Sequence, residues 1–213
     1  MTDPRRILLA DADAFFVAVA RAVDPDGAGR APLLIVGGRP GSRGVVCSAS
    51  YETRAFGVRS GMPIAQALRL CPDAMSVPVP RGACTATSRA VGAVLQRFTP
   101  VVQAASIDEW YLDLSGTEAL YAPETLEATA RRIRETVHRE TGIMLSIGGG
   151  PSKLVAKLAA ERAKPRPEVG GTGVHVVAAG DEGVFLRGFA LTELPGVGPK
   201  LRAKLASLGL ERV

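Results

Sequence analysis

Ser106-Ile107-Asp108-Glu109-Trp110-Tyr111-Leu112-Asp113-Leu114 places two adjacent carboxylates inside a strand-like run. Val101-Val102-Gln103-Ala104-Ala105 precedes the pair. Aromatic and apolar residues of this kind favour a pleated, half-buried surface. In a regular strand neighbouring side chains point to opposite faces, so Asp108 and Glu109 would not serve one site. They share one only at the tight turn of a hairpin, or at a bulge that re-aims one of them. Two adjacent buried anions would also need a cation. Taken alone, an Asp-Glu pair reads as a solvated turn. A second carboxylate strand far away in sequence changes that reading.

That strand is Arg6-Ile7-Leu8-Leu9-Ala10-Asp11-Ala12-Asp13. Its continuous apolar run suits a strand covered on both faces. Asp11 and Asp13 are two apart and would face the same way on a regular strand. A helix starts at Ala14 with Phe15, Phe16 and Val19, and Asp13 is placed to cap it. An acid there suits a metal ligand as well as an N-cap.

Further strands are expected at 33–36, 45–49, 76–79, 144–148 and 174–177, with a loop over Gly37–Gly44. Ser50–Phe56 reads as a short helix closed by Gly57, with Tyr51 and Arg54 on one face. Pro63 is placed to open the next helix, and further helices are expected over 83–98 and from Leu126 to Val137. Another runs over Ser152–Ala163, with Leu154, Leu158 and Ala159 inward and Lys153 and Lys157 outward. The order of elements implies an α+β fold, with helices packed on a mixed sheet.

The totals narrow the function class. The 213 residues are 46% hydrophobic and 22% charged, which fits a globular chain with a real core. No apolar run approaches a membrane span, and the run after the polar start is too short for a signal peptide. Three unpaired-looking cysteines suggest a reducing compartment and no zinc site. Two histidines leave little for a zinc hydrolase or a Ser-His triad. The net charge is +5, and all five lysines lie beyond residue 150. That basic section is a plausible footprint for a polyanion, or an ordinary solvated surface.

Leu194-Pro195-Gly196-Val197-Gly198-Pro199-Lys200 is a Gly-x-Gly turn before a short helix. Glycines let backbone amides approach a phosphate, and a helix N-terminus adds favourable partial charge. Such a hairpin holds DNA backbone without reading sequence; a tight helix-helix connector is the plainer reading.

These pieces coincide with one family. Asp11-Ala12-Asp13-Ala14-Phe15-Phe16 resembles the first motif of Y-family translesion DNA polymerases. Tyr51-Glu52-Thr53-Arg54-Ala55-Phe56-Gly57-Val58, with Gly61-Met62-Pro63, is similar to their fingers motif. Ser106–Asp113 is similar to their catalytic hairpin, and Lys153–Pro165 to the late palm helix. Pro195–Gly198 resembles the thumb hairpin. The motifs follow the family's order over nearly the whole chain, nearest to the bacterial DNA polymerase IV type.

The resemblance implies a palm from residues 1–14 and 81–171, fingers over 15–80, and a partial thumb with a helix-hairpin-helix over 172–213. It implies low-fidelity, template-directed DNA synthesis past lesions, with a dNTP added to a primer 3′-hydroxyl. Asp11, Asp108 and Glu109 match the catalytic carboxylates. With the backbone carbonyl of Ala12 they would bind two Mg2+ ions, or Mn2+ in their place. Hard cations want oxygen ligands, and two of them roughly 3.5–4 Å apart clamp an in-line displacement at phosphorus. Tyr51, Arg54 and Lys164 match triphosphate contacts, and Phe15 also falls at the nucleotide. Phe16 matches the steric gate against a 2′-hydroxyl. Gly196, Gly198 and Lys200 match contacts to DNA backbone.

Primer–template DNA and a dNTP are the partners so implied, with a sliding clamp reached through further C-terminal sequence. A monomer in the bacterial cytoplasm at the nucleoid, away from membranes, is expected. The family's little finger is expected to be absent, with weak DNA affinity and low processivity as the result. Three positions depart from the usual pattern: Ala20 in place of glutamate, Thr53 in place of a smaller residue, and the bulky Trp110. A non-catalytic relative, a palm-type nucleotidyl cyclase and a DNA-binding fragment are the competing readings. The retained acids oppose the first, and the thumb hairpin opposes the second. The third leaves the acids unexplained.

Overall fold

The computed structural model describes residues 4–39, 44–165, 171–210 and 213. Residues 40–43 of the expected Gly37–Gly44 loop lie outside the described residues. In chain order the elements are β1 Ile7–Ala12, α1 Phe15–Val23, β2 Leu34–Gly37, β3 Val46–Ala49, α2 Tyr51–Ala55 and α3 Ile64–Leu70. Then come β4 Met75–Pro78, α4 Arg81–Leu95, β5 Val102–Ala104, β6 Glu109–Asp113, α5 Glu118–Tyr121 and α6 Leu126–Thr141. Last are β7 Leu145–Gly150, α7 Lys153–Ala163, β8 Val174–Val176, α8 Glu182–Arg187, a 3-10 turn at Leu191–Glu193, and α9 Pro199–Ser207.

The chain divides into two compact units, one of Met1–Asp11, Val94–Glu140 and Met144–Val213, the other of Ala12–Ala93 and Thr141–Ile143. The first holds a five-stranded sheet in the order β5-β6-β1-β7-β8. β6 is antiparallel to both β5 and β1, whereas β7 and β8 are parallel. β1 and β7 are buried at every position, as strands covered on both faces must be.

Register decides what α7 meets. Ile7, Leu9 and Asp11 stand opposite Asp113, Tyr111 and Glu109, so all six share one face. Ala156 and Ala160 of α7 pack on Ile7 and Leu9 there. The small residues permit a close approach, and so does Gly148 on β7. A Cβ on Gly148 would lie 2.0 Å from the Ala160 nitrogen and 2.1 Å from the Ala156 oxygen. Ser152 caps α7 by accepting the Val155 amide at 3.2 Å. On the other face Leu8 and Leu112 are fully buried. There Arg134 of α6 donates to the Leu145 carbonyl at 2.8 Å. The expected facing of α7 is partly corrected: Leu154 is 41% exposed, while Lys157 turns to the sheet and reaches Glu109. Leu158 and Ala159 are buried as expected, and Val155, Ala156 and Ala160 join them, so only Leu154 falls outside the buried stripe.

The second unit adds a separate three-stranded sheet, β3-β2-β4, where one mixed sheet was expected. β2 runs antiparallel to β3 and parallel to β4. Alternate β2 residues feed two cores. Ile35 joins Val46, Val58 and Ile64, while Leu34 and Val36 join Val17 and Ala20. Ala20, one of the departures, is buried here among apolar neighbours. β4 is an edge strand, as a proline-bearing segment should be. Pro63 is the N-cap of α3, one place earlier than expected.

Candidate active site

Asp11 and Glu109 come together at the ends of β1 and β6. They are register partners on adjacent strands, so their side chains rise from one face as neighbours. Asp11 is only 8% exposed. Lys164, the C-cap of α7, places its ammonium 2.9 Å from Asp11 Oδ2 and 2.6 Å from Glu161 Oε1. Lys157, one helical stretch earlier, lies 2.8 Å from both oxygens of Glu109. Seven residues on a helix are close to two turns, so both lysines descend on the same face.

Burial raises the Asp11 carboxyl to about 6, and Lys164 offsets only part of that. Lys164 moves the other way. Burial alone would lower it, but two carboxylates, Asp11 and Glu161, hold its ammonium well above the ordinary lysine value. Both directions follow from one ammonium shared between two acids, with Asp11 the more deeply buried. Lys157 is likewise raised, because Glu109 outweighs its desolvation.

Asp108 ends the turn before β6, and its side chain accepts from the Ser106 hydroxyl. Among the described residues, no three His, Cys, Asp or Glu side chains gather closely enough to hold a metal. The three-acid cage read from the sequence is therefore not assembled as such. Asp11 and Glu109 form its nucleus, each bound by an ammonium, and Asp108 is engaged by Ser106. The donor chemistry still fits a hard divalent cation: two carboxylates opposed in register, one deeply buried, already drawing positive charge. Ala12 is the last residue of β1 and buried, beside Asp11 in the chain. The bulky Trp110 is 3% exposed and stands between register partners Ala10 and Ala104, whose small side chains make room for it.

The second unit carries another group. Ser50 caps α2 and shares a 2.8 Å hydrogen bond with the buried Thr53 hydroxyl, so that departure is a buried packing feature. Tyr51 and Arg54 do share a face, with the guanidinium carbon 4.9 Å from the ring centroid. Arg54 Nε donates to the Ala49 carbonyl at 2.9 Å, which fixes the plane of the group. Asp13 does not cap α1. The N-cap is Ala14 in the left-handed region at φ 45°, without a side-chain cap. Asp13 instead accepts from the Tyr51 hydroxyl at 3.4 Å. A left-handed alanine costs roughly 1–2 kcal/mol, so the strand-to-helix corner is strained. Phe15 is 1% exposed, its ring edge-on to Phe16 at 5.6 Å. Its ring is thus core. Phe16 is half-buried against the Val17 cluster.

In the C-terminal part, Gly196 has φ +87° and Gly198 is the N-cap of α9, followed by Pro199. Lys200 is exposed in the first turn. Sequence reading missed Lys157 and Glu161. Lys157 was detectable from its spacing of seven to Lys164 on an alanine-rich helix.

The model of the impB/mucB/samB family matches residues 10–161. The chain belongs to the impB/mucB/samB family. The matched residues of this impB/mucB/samB chain include Asp11, Asp108, Glu109 and Lys157. It is 40% identical over 207 residues to DNA polymerase IV of Dehalococcoides mccartyi strain CBDB1, covering 97% of this chain and 50% of that one. It is 40% identical over 209 residues to DNA polymerase IV of Gluconobacter oxydans strain 621H, covering 98% and 56%. The chain spans about half the length of the curated relatives it matches. The crystal structure of DinB from Sulfolobus solfataricus matches at TM-score 0.82 and 30% identity, over 97% of this chain and 58% of that one. The insertion ternary complex of Dbh DNA polymerase matches at 0.83 and 30%, with the same coverage. The α+β fold is thus that of Y-family polymerases. No helix among the described residues is long and apolar enough to cross a membrane.

Proposed function

We propose that this chain carries the polymerising centre of a translesion DNA polymerase, joining a dNTP to a primer 3′-hydroxyl on a DNA template. The observation that carries the reading is the Asp11–Glu109 pair, opposed in register at the strand ends and bound by two lysines of one helix. Residues 1–14 and 81–171 act as palm, 15–80 as fingers and 172–213 as part of a thumb.

Asp11 and Glu109, joined by Asp108 and the Ala12 carbonyl, hold divalent cations, Mg2+ in the cell. Bound there, such ions acidify the primer hydroxyl and neutralise charge on the triphosphate. Lys164 sits at Asp11 as a fixed positive charge and binds a phosphate oxygen as charge develops. Tyr51 and Arg54 grip the outer phosphates. The ring contact and the Ala49 hydrogen bond pre-orient the guanidinium, leaving its terminal nitrogens for oxyanions. Phe16 rejects a 2′-hydroxyl by its bulk. The hairpin at Gly196 and Gly198, with Lys200, binds DNA backbone without sequence preference. A cytoplasmic site at the nucleoid suits that work.

Primer extension on undamaged and lesion-bearing templates with Mg2+ tests this. The parent extends, and Glu109→Gln and Asp108→Asn do not. Equal extension by parent and variants overturns the two-metal reading, and DNA binding without extension in all of them reduces the chain to a binding module.

A further inference from the structure

We propose that Lys157 competes with divalent cations for Glu109 and thereby sets the metal affinity of the site. The inference rests on the reading of Glu109 as a metal ligand. Lys157 Nζ lies 2.8 Å from Oε1 and 2.8 Å from Oε2. A single ammonium therefore occupies both oxygens of the carboxylate. Among the described residues its hydrogen bonds go to Glu109 alone, whereas Lys164 is divided between Asp11 and Glu161. Lys157 is thus tied to the site by one carboxylate.

Its placement is built in. α7 is pressed on the sheet through Gly148 and through Ala156 and Ala160. The helix therefore delivers Lys157 to the same face as Glu109. Both side chains are partly withdrawn from water, at 31% and 23% exposure, where screening by solvent is weaker than at the surface. Opposed carboxylates repel across a strand pair. The lysine relieves that repulsion when no other cation is bound. A metal ion that takes either Glu109 oxygen breaks one of the two ammonium contacts, and one that takes both displaces Lys157 altogether. Metal and ammonium thus exclude one another at Glu109, and removal of the ammonium must favour the metal. Had Lys157 merely held Glu109 in place for the metal, its removal would act in the opposite direction.

The test is Mn2+ binding to the full chain, read by the electron paramagnetic resonance signal of free Mn2+, without DNA or nucleotide. Parent, Lys157→Met, Lys157→Arg and Glu109→Gln are compared, with circular dichroism as the check on folding. The parent binds Mn2+ and E109Q binds it more weakly. K157M binds about fivefold more tightly than the parent, the effect of losing one partly screened ion pair. K157R, which keeps a cation, stays near the parent. The Mn2+-induced rise in Tm is also larger in K157M than in the parent. Where K157M fails the folding check, Lys157→Gln takes its place with the same expected direction. Equal or weaker binding by the folded neutral variant overturns the inference, while the metal reading stands on E109Q. Absence of Mn2+ binding in the parent, or unchanged binding in E109Q, overturns the metal reading itself.

Discussion

Asp11 and Glu109 stand opposite each other in register on β1 and β6, and a lysine from α7 meets each carboxylate. One helix face thus neutralises two acids contributed by segments almost a hundred residues apart in the chain. This arrangement has energetic consequences before any chemistry begins. Asp11 is buried and receives only a share of the Lys164 charge. Its charged form is therefore a burden on the metal-free fold.

That burden has a defined pH window. The Asp11 carboxyl is raised from 3.8 to about 6, by burial first. Between those values the folded state binds more protons than the unfolded state, so stability from this group falls as pH rises through the window. Above about 6 the full penalty applies. Asp11→Asn should then stabilise the protein in EDTA at pH 7 by about 1–3 kcal/mol, with the gain shrinking towards zero near pH 4. Lys164 adds no slope there, since its ammonium, raised by its carboxylate partners, is lost only in strongly alkaline solution. Urea unfolding of parent and D11N from pH 4 to 7 checks this. A variant less stable than the parent at pH 7 would show that Lys164 outweighs burial.

Gly148 carries the second expectation. A Cβ there meets the backbone of α7 at 2.0 Å and 2.1 Å, and backbone cannot rotate away. Gly148→Ala must push α7 off β7, moving Lys157 and Lys164 with it. Overpacking of this kind costs about 1–3 kcal/mol or more. The variant should show a lowered urea midpoint and, in the fraction that folds, reduced primer extension. Gly142→Ala is an informative contrast. No neighbour lies near its missing Cβ, and its penalty comes from φ +72° alone.

The same particulars show what the sequence could disclose. β1 was legible because six buried residues in a row leave few alternatives. The hairpin at Asp108-Glu109 was legible because adjacent acids in a strand-like run reach one site only at a turn or a bulge. The second sheet was not, because Leu34–Gly37 and Met75–Pro78 pair across some forty residues, and pairing partners leave no periodic trace. Lys157 was assigned to solvent because lysine usually faces water. Its inward turn depends on the Glu109 carboxylate and on Gly148, neither of which is local to it. Asp13 looked like a cap by position, yet Ala14 takes the left-handed corner and frees the carboxylate for Tyr51.

Phe16 offers a test that depends on neither metal nor lysine. It is half-buried beside a fully buried Phe15, so truncation leaves the Phe15 anchor of α1 intact. Phe16→Ala should raise the ratio of ribonucleotide to deoxyribonucleotide insertion by about tenfold or more, since a steric block is removed and no hydrogen bond is lost. Single-nucleotide insertion with paired dNTP and NTP measures the ratio. Unchanged discrimination would return Phe16 to the role of an ordinary core aromatic.

Lys200 tests the C-terminal hairpin. It lies exposed in the first turn of α9, just after the Gly198 N-cap, the placement that the proposed phosphate contact requires. Such a contact is electrostatic and indifferent to sequence. Lys200→Ala should weaken binding to primer–template DNA by a similar factor on every sequence. It should also make the slope of log K against log salt shallower by about 1, the signature of one lost phosphate contact. Fluorescence anisotropy across a salt series reads both quantities. Gly196→Ala should act differently, because φ +87° strains any side chain there. That variant reshapes the turn, so it should reduce affinity while leaving the charge on Lys200, and hence most of the salt slope, in place. If K200A changed affinity on some sequences only, or left the slope as it was, the hairpin would be a helix connector and the basic residues of α9 a solvated face.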